Sequence, residues 1–220
     1  MSYGLIFDVD GVLADTESLI ARATIEMYRE MYDVELTPED FRPFIGTGAV
    51  RYTGGPAETR GISIDLEKAI AKRHENFTRL LASGLPLAMP GALELIDAAA
   101  SSPDWKLAIA TSSPAEKAAA TLDAAHIPLE KFTAFINGDM VSRKKPDPEI
   151  YETTAACLAL SPASCVVVED AVAGVTAAKA AGMKCVAVTN SFSAADLAKA
   201  DLVVNVLTEV DLEKLGALLE

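Results

Sequence analysis

Tyr3-Gly4-Leu5-Ile6-Phe7-Asp8-Val9-Asp10-Gly11-Val12-Leu13 decides the reading of this chain, because a short apolar run ends there on two carboxylates. A run of this length, rich in aliphatic and aromatic side chains, reads as a fully buried strand of a parallel sheet. In open α/β sheets the ligand crevice lies beyond the carboxyl ends of the strands. Side chains two apart on an extended chain point the same way, so Asp8 and Asp10 can converge on one point. Gly11 then permits a sharp turn or a close backbone approach. Acidic residues that merely cap a strand or open a turn would explain one aspartate and make poor use of two.

Further apolar runs rich in β-branched residues follow at 106–111, 134–137, 165–168, 185–189 and 202–205. Helical patterns lie between most of them, at 92–100, 115–125, 150–160 and 172–181. Strand–helix alternation of this kind predicts βαβ units and a parallel sheet, with right-handed crossovers bringing every strand's carboxyl end to one edge. Pro114 suits a first helical position, and Gly182 ends the alanine-rich helix before it. Residues 16–87 break the alternation. They contain no buried strand pattern and read as helices over 17–31, 38–44 and 66–81, interrupted at Gly46-Thr47-Gly48 and Gly54-Gly55-Pro56. The expectation is an α/β core of residues 1–15 and 88–220, Rossmann-like, with residues 16–87 as a helical insertion after the first strand.

Composition limits the function. Half of the 220 residues are apolar and 23% are charged, ordinary for a globular protein that can bury a sizeable core. No run of eighteen apolar residues suggests a membrane span, and no basic segment precedes an apolar stretch at the start, so the reading is cytoplasmic. Cys157, Cys165 and Cys185 form no metal or disulfide spacing. A net charge of −13 excludes nucleic acid, whose binding needs a basic surface.

Three later stretches carry chemistry complementary to the first. They are Lys106-Leu107-Ala108-Ile109-Ala110-Thr111-Ser112, Ser142-Arg143-Lys144-Lys145-Pro146-Asp147-Pro148 and Val166-Val167-Val168-Glu169-Asp170. With Asp8 to Glu17 they match, in order and approximate spacing, the four motifs of the haloacid dehalogenase superfamily of phosphotransferases. Within that superfamily the chain most resembles the β-phosphoglucomutase-like phosphatases, over essentially its whole length. The resemblance implies that residues 16–87 form a cap domain and that Asp8 is a nucleophile forming an aspartyl phosphate. Splitting a phosphoryl transfer into two steps in this way is how a carboxylate nucleophile works.

An anionic protein that processes phosphate must neutralise its substrate locally. Two unit charges about 4 Å apart repel by roughly 4 kcal/mol at an effective dielectric of 20, a term that a divalent ion reverses. Mg2+ suits such hard oxygen ligands, and we assign it to the Asp8 carboxylate, the Asp10 carbonyl and Asp170, with Glu169 either ligand or orienting neighbour. The Asp10 side chain then serves as acid and base. Thr111 hydrogen-bonds a phosphoryl oxygen with Ser112 close behind, and Lys145 supplies fixed positive charge. Each has a plainer alternative. Thr111 and Ser112 could simply cap the following helix, Lys145 could belong to a solvated basic run, and Glu169-Asp170 could be a polar strand end. Pro146 and Pro148 stiffen the loop in favour of a positioned lysine.

The expected substrate is a small phosphorylated metabolite, a sugar phosphate, handled by a monomer. By resemblance, Arg51 after the glycine loop and Arg73 on the 66–81 helix face the substrate's non-reacting end. The alternative activity is a sugar phosphomutase of the β-phosphoglucomutase type. Such mutases typically carry a cap histidine shortly after the first motif, where this chain has Glu17-Ser18-Leu19-Ile20-Ala21. A signalling receiver domain also pairs a phosphorylated aspartate with Mg2+, a hydroxyl and a lysine, but it lacks an insertion after its first strand. The glycines at 46–48 and 54–55 follow no strand and precede no Lys-Ser or Lys-Thr, so they form neither a P-loop nor a dinucleotide fingerprint.

Overall fold

The computed structural model describes residues 2–45 and 48–220; Gly46 and Thr47, the first two residues of the glycine loop, lie outside them. The chain divides into two compact units, one formed by Met1–Asp15 with Leu87–Glu220 and the other by Thr16–Pro86. Leu87 joins the first unit, where its carbonyl accepts the Asp15 N–H at 2.8 Å.

The first unit contains strands β1 (Tyr3–Phe7), β2 (Trp105–Ala110), β3 (Ala134–Ile136), β4 (Cys165–Glu169), β5 (Lys184–Val188) and β6 (Leu202–Val204). All pair in parallel in the order β3-β2-β1-β4-β5-β6. The expected Rossmann-like α/β core is therefore present. β1 has β2 on one side and β4 on the other, so the sheet winds outward from it in both directions, and the crevice of such a fold opens at that switch point. Strand burial explains the sequence pattern: β4 is buried at every position and β1 at all but Tyr3, as in a sheet covered on both faces.

In the second unit, α1 (Thr16–Tyr32), α2 (Ala49–Arg60) and α3 (Leu66–Leu81) enclose a core that includes Met27, Tyr28, Phe41, Phe44, Tyr52 and Ala69. The Phe41 and Tyr52 rings stack with centroids 5.2 Å apart, and the buried Tyr28 hydroxyl donates to the Thr53 carbonyl at 2.6 Å. The first unit adds α4 (Ala92–Ala100), α5 (Ala115–Ala124), α6 (Glu149–Leu158), α7 (Val172–Ala180) and α8 (Leu212–Leu219). Among these, α4 and α6 pack on β2, α7 on β5, and α8 on β4.

Three local expectations are corrected. Gly54-Gly55-Pro56 does not interrupt the chain but lies inside α2. Tertiary packing overrides propensity there: a Cβ on Gly55 would lie 2.3 Å from the Phe44 ring, so the helix reaches that aromatic only without a side chain. Pro38–Phe44 is a 3-10 helix rather than an α-helix, in keeping with Pro43 inside it, which has no N–H to donate. Pro114 precedes α5 as its N-cap instead of opening it. The closing helix α8 carried no expectation; its Asp211 cap accepts the Lys214 N–H at 2.8 Å.

β1 tolerates no bulk against the second layer. A Cβ on Gly4 would lie 2.8 Å from the Cys165 sulfur and 3.1 Å from Leu158. Gly4→Ala is therefore expected to lose about 1–3 kcal/mol by overpacking. In urea unfolding its midpoint should fall while the slope is unchanged; an unaltered midpoint would contradict this packing.

Candidate active site

Because the sheet is parallel, the residues that follow β1, β2 and β4 emerge at one edge. These are Asp8 after Phe7, Thr111 after Ala110, and Asp170 after Glu169, the last residue of β4. The carboxylates of Asp8, Glu169 and Asp170 gather there, each offering an oxygen within 4.8 Å of the others, and all three residues are buried. Gly11 has φ +77°, and a Cβ on it would lie 2.0 Å from an Asp170 oxygen. The turn after β1 closes onto Asp170 because Gly11 has no side chain.

Lys145 enters this cluster and is buried with it. Its ammonium donates to Asp8 Oδ1 at 2.6 Å, to Glu169 Oε1 at 2.7 Å and to the Ala110 carbonyl at 3.2 Å. The Tyr151 ring lies 4.9 Å from it. The three basic residues of the 143–145 run thus have different fates. Arg143 pairs at the surface with Asp147 and Glu149, Lys144 donates to the Gly138 carbonyl, and only Lys145 turns inward. Glu149 shapes the loop by accepting the N–H groups of Ser142 at 2.8 Å and Arg143 at 2.9 Å.

Glu169 is fully engaged. Oε1 accepts from Lys145 and from the Tyr151 hydroxyl at 2.7 Å, and Oε2 from the N–H groups of Asp170 at 3.0 Å and Ala171 at 3.1 Å. A carboxylate has about four such acceptor sites. Asp170 accepts from the Ser191 hydroxyl, and Asn190 donates to the Gly11 carbonyl at 2.6 Å. The residues after β5 therefore brace both the acidic pair and the turn after β1.

Asp10 is held differently. Lys117 donates to its Oδ1 at 2.9 Å and the Ser113 hydroxyl to its Oδ2 at 2.7 Å. Thr111 is buried and its hydroxyl oxygen accepts the Ser113 N–H at 3.1 Å, whereas Ser112, expected close behind Thr111, is exposed. Sequence reasoning missed Ser113, Lys117, Tyr151, Asn190 and Ser191. Ser113 stood in the quoted second motif's immediate continuation, but nothing local separates it from an ordinary helix-preceding serine.

The second unit holds the two arginines expected to contact substrate. Arg51 forms an exposed pair with Glu58 at 2.6 Å and lies over the Phe44 ring, while Arg73 is half-buried beside Tyr52 and Glu17. A cavity of about 610 Å³ in this unit is lined by Ser18, Arg22, Phe41, Arg42 and Tyr52 among others, and by neither of these arginines.

Burial pushes the Asp8 carboxyl up to about 7 against the opposing charge of Lys145, with Glu169 and Asp10 adding repulsion. Asp170 is likewise driven well above the usual carboxylate range by burial and then by the charges of Glu169 and Asp8. Lys145 is also shifted upward: burial opposes its charge, yet Asp8 and Glu169 more than compensate and hold it firmly protonated. Clustered buried oxygens with too little positive charge beside them are the donor set for a hard divalent cation. Asp8 and Asp170 fit that role best, since burial and the neighbouring carboxylates make the ionised form of each unfavourable until a cation joins them.

Carboxylates aimed from strand ends around one buried lysine make a site in which anionic oxygens and a fixed positive charge lie side by side, the setting in which charge developing on a transferred group can be stabilised. The family model of haloacid dehalogenase-like hydrolases matches residues 5–188. The phosphorylated carbohydrates phosphatase of Thermotoga maritima is 36% identical over 220 residues, covering 94% of this chain and 98% of that one. A crystal structure from the same organism, assigned as a β-phosphoglucomutase, superposes with a TM-score of 0.78 at 33% identity, covering 96% of this chain and all of that one. The chloroplastic protein SUPPRESSOR OF QUENCHING 1 of Arabidopsis thaliana is 39% identical over 88% of this chain, although the match spans only 18% of that protein. The chain belongs to the haloacid dehalogenase-like hydrolases, as a phosphatase of the β-phosphoglucomutase-like type. No helix among the described residues is long and apolar enough to cross a membrane.

Two outcomes follow from this geometry. Carboxyls that titrate higher folded than unfolded bind protons more tightly in the native state, so their contribution to stability is lost as pH rises from 3.8 to about 7. Metal-free protein should therefore melt at progressively lower temperature between pH 5 and pH 7.5, and the stabilisation by added divalent cation should widen over the same interval. A pH-independent difference between the two melting curves would sink this account. Gly174 supports the cluster from α7, where a Cβ would lie 1.7 Å from Glu169 Oε1. Gly174→Ala should displace Glu169 and cost about 1–3 kcal/mol, measurable by thermal unfolding together with weakened phosphatase activity.

Proposed function

We propose that the protein is a Mg2+-dependent phosphatase of a small phosphorylated metabolite, a sugar phosphate, acting through an aspartyl phosphate on Asp8. One observation carries the reading: a buried lysine bonded at once to Asp8 and Glu169, beside Asp170. Mg2+, held by the Asp8 and Asp170 carboxylates and the Asp10 carbonyl, would supply the positive charge that offsets repulsion between carboxylate and phosphate.

Asp8 attacks phosphorus and the bond to the leaving oxygen breaks. The leaving oxygen takes a proton from the Asp10 carboxyl, so it departs as an alcohol. Water then attacks the aspartyl phosphate, Asp10 takes the water's proton, and phosphate leaves with Asp8 regenerated. Lys145 and the Thr111 hydroxyl donate to the phosphoryl oxygens as charge shifts onto them. Glu169 keeps Lys145 in place rather than binding the ion, because its acceptor sites are already taken. Recognition of a phosphorylated sugar rests on likeness to a phosphatase of phosphorylated carbohydrates.

A phosphate-release screen over sugar phosphates, nucleotides and phosphorylated acids, with and without Mg2+, tests the activity. Conversion of glucose 1-phosphate into glucose 6-phosphate without phosphate release would instead indicate the mutase. Asp8→Asn should abolish turnover with the fold intact, since an amide is a poor nucleophile. Asp10→Asn should retain metal affinity while both chemical steps slow about 10²- to 10⁴-fold, the usual scale of acid–base help. Activity of Asp8→Asn within tenfold of the parent, on the order of 1.4 kcal/mol in barrier, would remove Asp8 from the nucleophile's role.

A further inference from the structure

We infer that Lys117 and Ser113 are positioning residues for Asp10, fixing the direction in which its carboxylate faces; this rests on the role proposed for Asp10 above. The three side chains close a ring. Lys117 donates to Asp10 Oδ1 at 2.9 Å and to the Ser113 hydroxyl oxygen at 3.1 Å, and that hydroxyl donates onward to Asp10 Oδ2 at 2.7 Å. Each carboxylate oxygen therefore has its own donor, and the two donors are locked to each other.

The ring is anchored away from the turn that carries Asp10. Ser113 is tied by its N–H to the Thr111 hydroxyl at 3.1 Å and by its carbonyl to the Gly138 N–H at 2.8 Å. Lys117 stands in the first turn of α5, whose start is capped by Asp139, which accepts the Ala115 N–H at 2.8 Å. The β2–α5 segment thus sets the attitude of a side chain carried by the turn after β1. An aspartate has two rotatable side-chain bonds, and its value as acid or base depends on staying within hydrogen-bond reach of the moving proton. Released from this clamp, each carboxylate oxygen of Asp10 would lose the side-chain donor that now aims it.

The clamp predicts a loss that depends on how much the leaving oxygen needs a proton. Phenyl phosphate and 4-nitrophenyl phosphate are similar in size but differ in that need. In single-turnover formation of the phosphoenzyme, Lys117→Met should slow phenyl phosphate about tenfold and 4-nitrophenyl phosphate less than about twofold, a part of the usual acid–base contribution. KM should hold, and Lys117→Arg should recover much of the loss. On an Asp10→Asn background, Lys117→Met should add almost nothing, as expected for a residue acting through Asp10. Ser113→Ala should shift the same ratio in the same direction, and it carries the test if Lys117→Met does not fold. Equal slowing of both esters, a rise in KM alone, or additive losses on the Asp10→Asn background would overturn the inference. An Asp10→Asn enzyme as active as the parent would instead overturn the role proposed for Asp10, whereas an impaired Asp10→Asn beside an unimpaired Lys117→Met defeats only the clamp.

Discussion

The site depends on one buried ammonium group. Lys145 is taken out of water, which costs several kcal/mol for an isolated ion and is tolerable only with close, well-aimed acceptors. It has them in Asp8, Glu169 and the Ala110 carbonyl, with the Tyr151 ring beside it. The dependence runs both ways. Without the lysine, Asp8 and Glu169 would share a buried pocket with Asp170 and no cation between them. The loop ordered by Glu149, the buried Tyr151 and the glycine at 174 can all be understood as fixing this one group and its partners.

That arrangement also answers the problem set by a net charge of −13. Long-range attraction cannot bring phosphate to such a protein, so the positive charge must be local and aimed. One lysine against three clustered carboxylates leaves the pocket negative, and burial already drives Asp8 and Asp170 towards their protonated forms. A divalent cation relieves the same repulsion that strains the metal-free pocket. Folding, metal binding and readiness for an anionic substrate are therefore linked through the same oxygens.

Two glycines leave out bulk where it could not be tolerated. Gly11 lets the turn after β1 close onto Asp170, and Gly174 lets α7 approach Glu169. The same logic governs the second unit, where Gly55 admits the Phe44 ring against α2. In each case the absence of a Cβ does the positioning.

The sequence by itself determined the parallel sheet, the insertion after the first strand, and Asp8, Asp10, Thr111, Lys145, Glu169 and Asp170 as the residues to watch. Asp8, Asp10, Thr111, Glu169 and Asp170 were legible because each sits at or just past the end of an apolar run, so a local pattern of a few residues carries both the strand and its functional side chain; Lys145 stood out instead by the prolines that follow it in a basic run. Only the tertiary structure decided that Gly54-Gly55-Pro56 continues a helix, that Ser113 reaches Asp10, and that Lys117 and Tyr151 join the cluster. Asp10 and Lys117 are 107 positions apart. Their meeting depends on the β1–β2 register and on where α5 begins, which no local pattern encodes; a lysine bound for a carboxylate and a lysine bound for solvent look alike until the fold brings the partner to it.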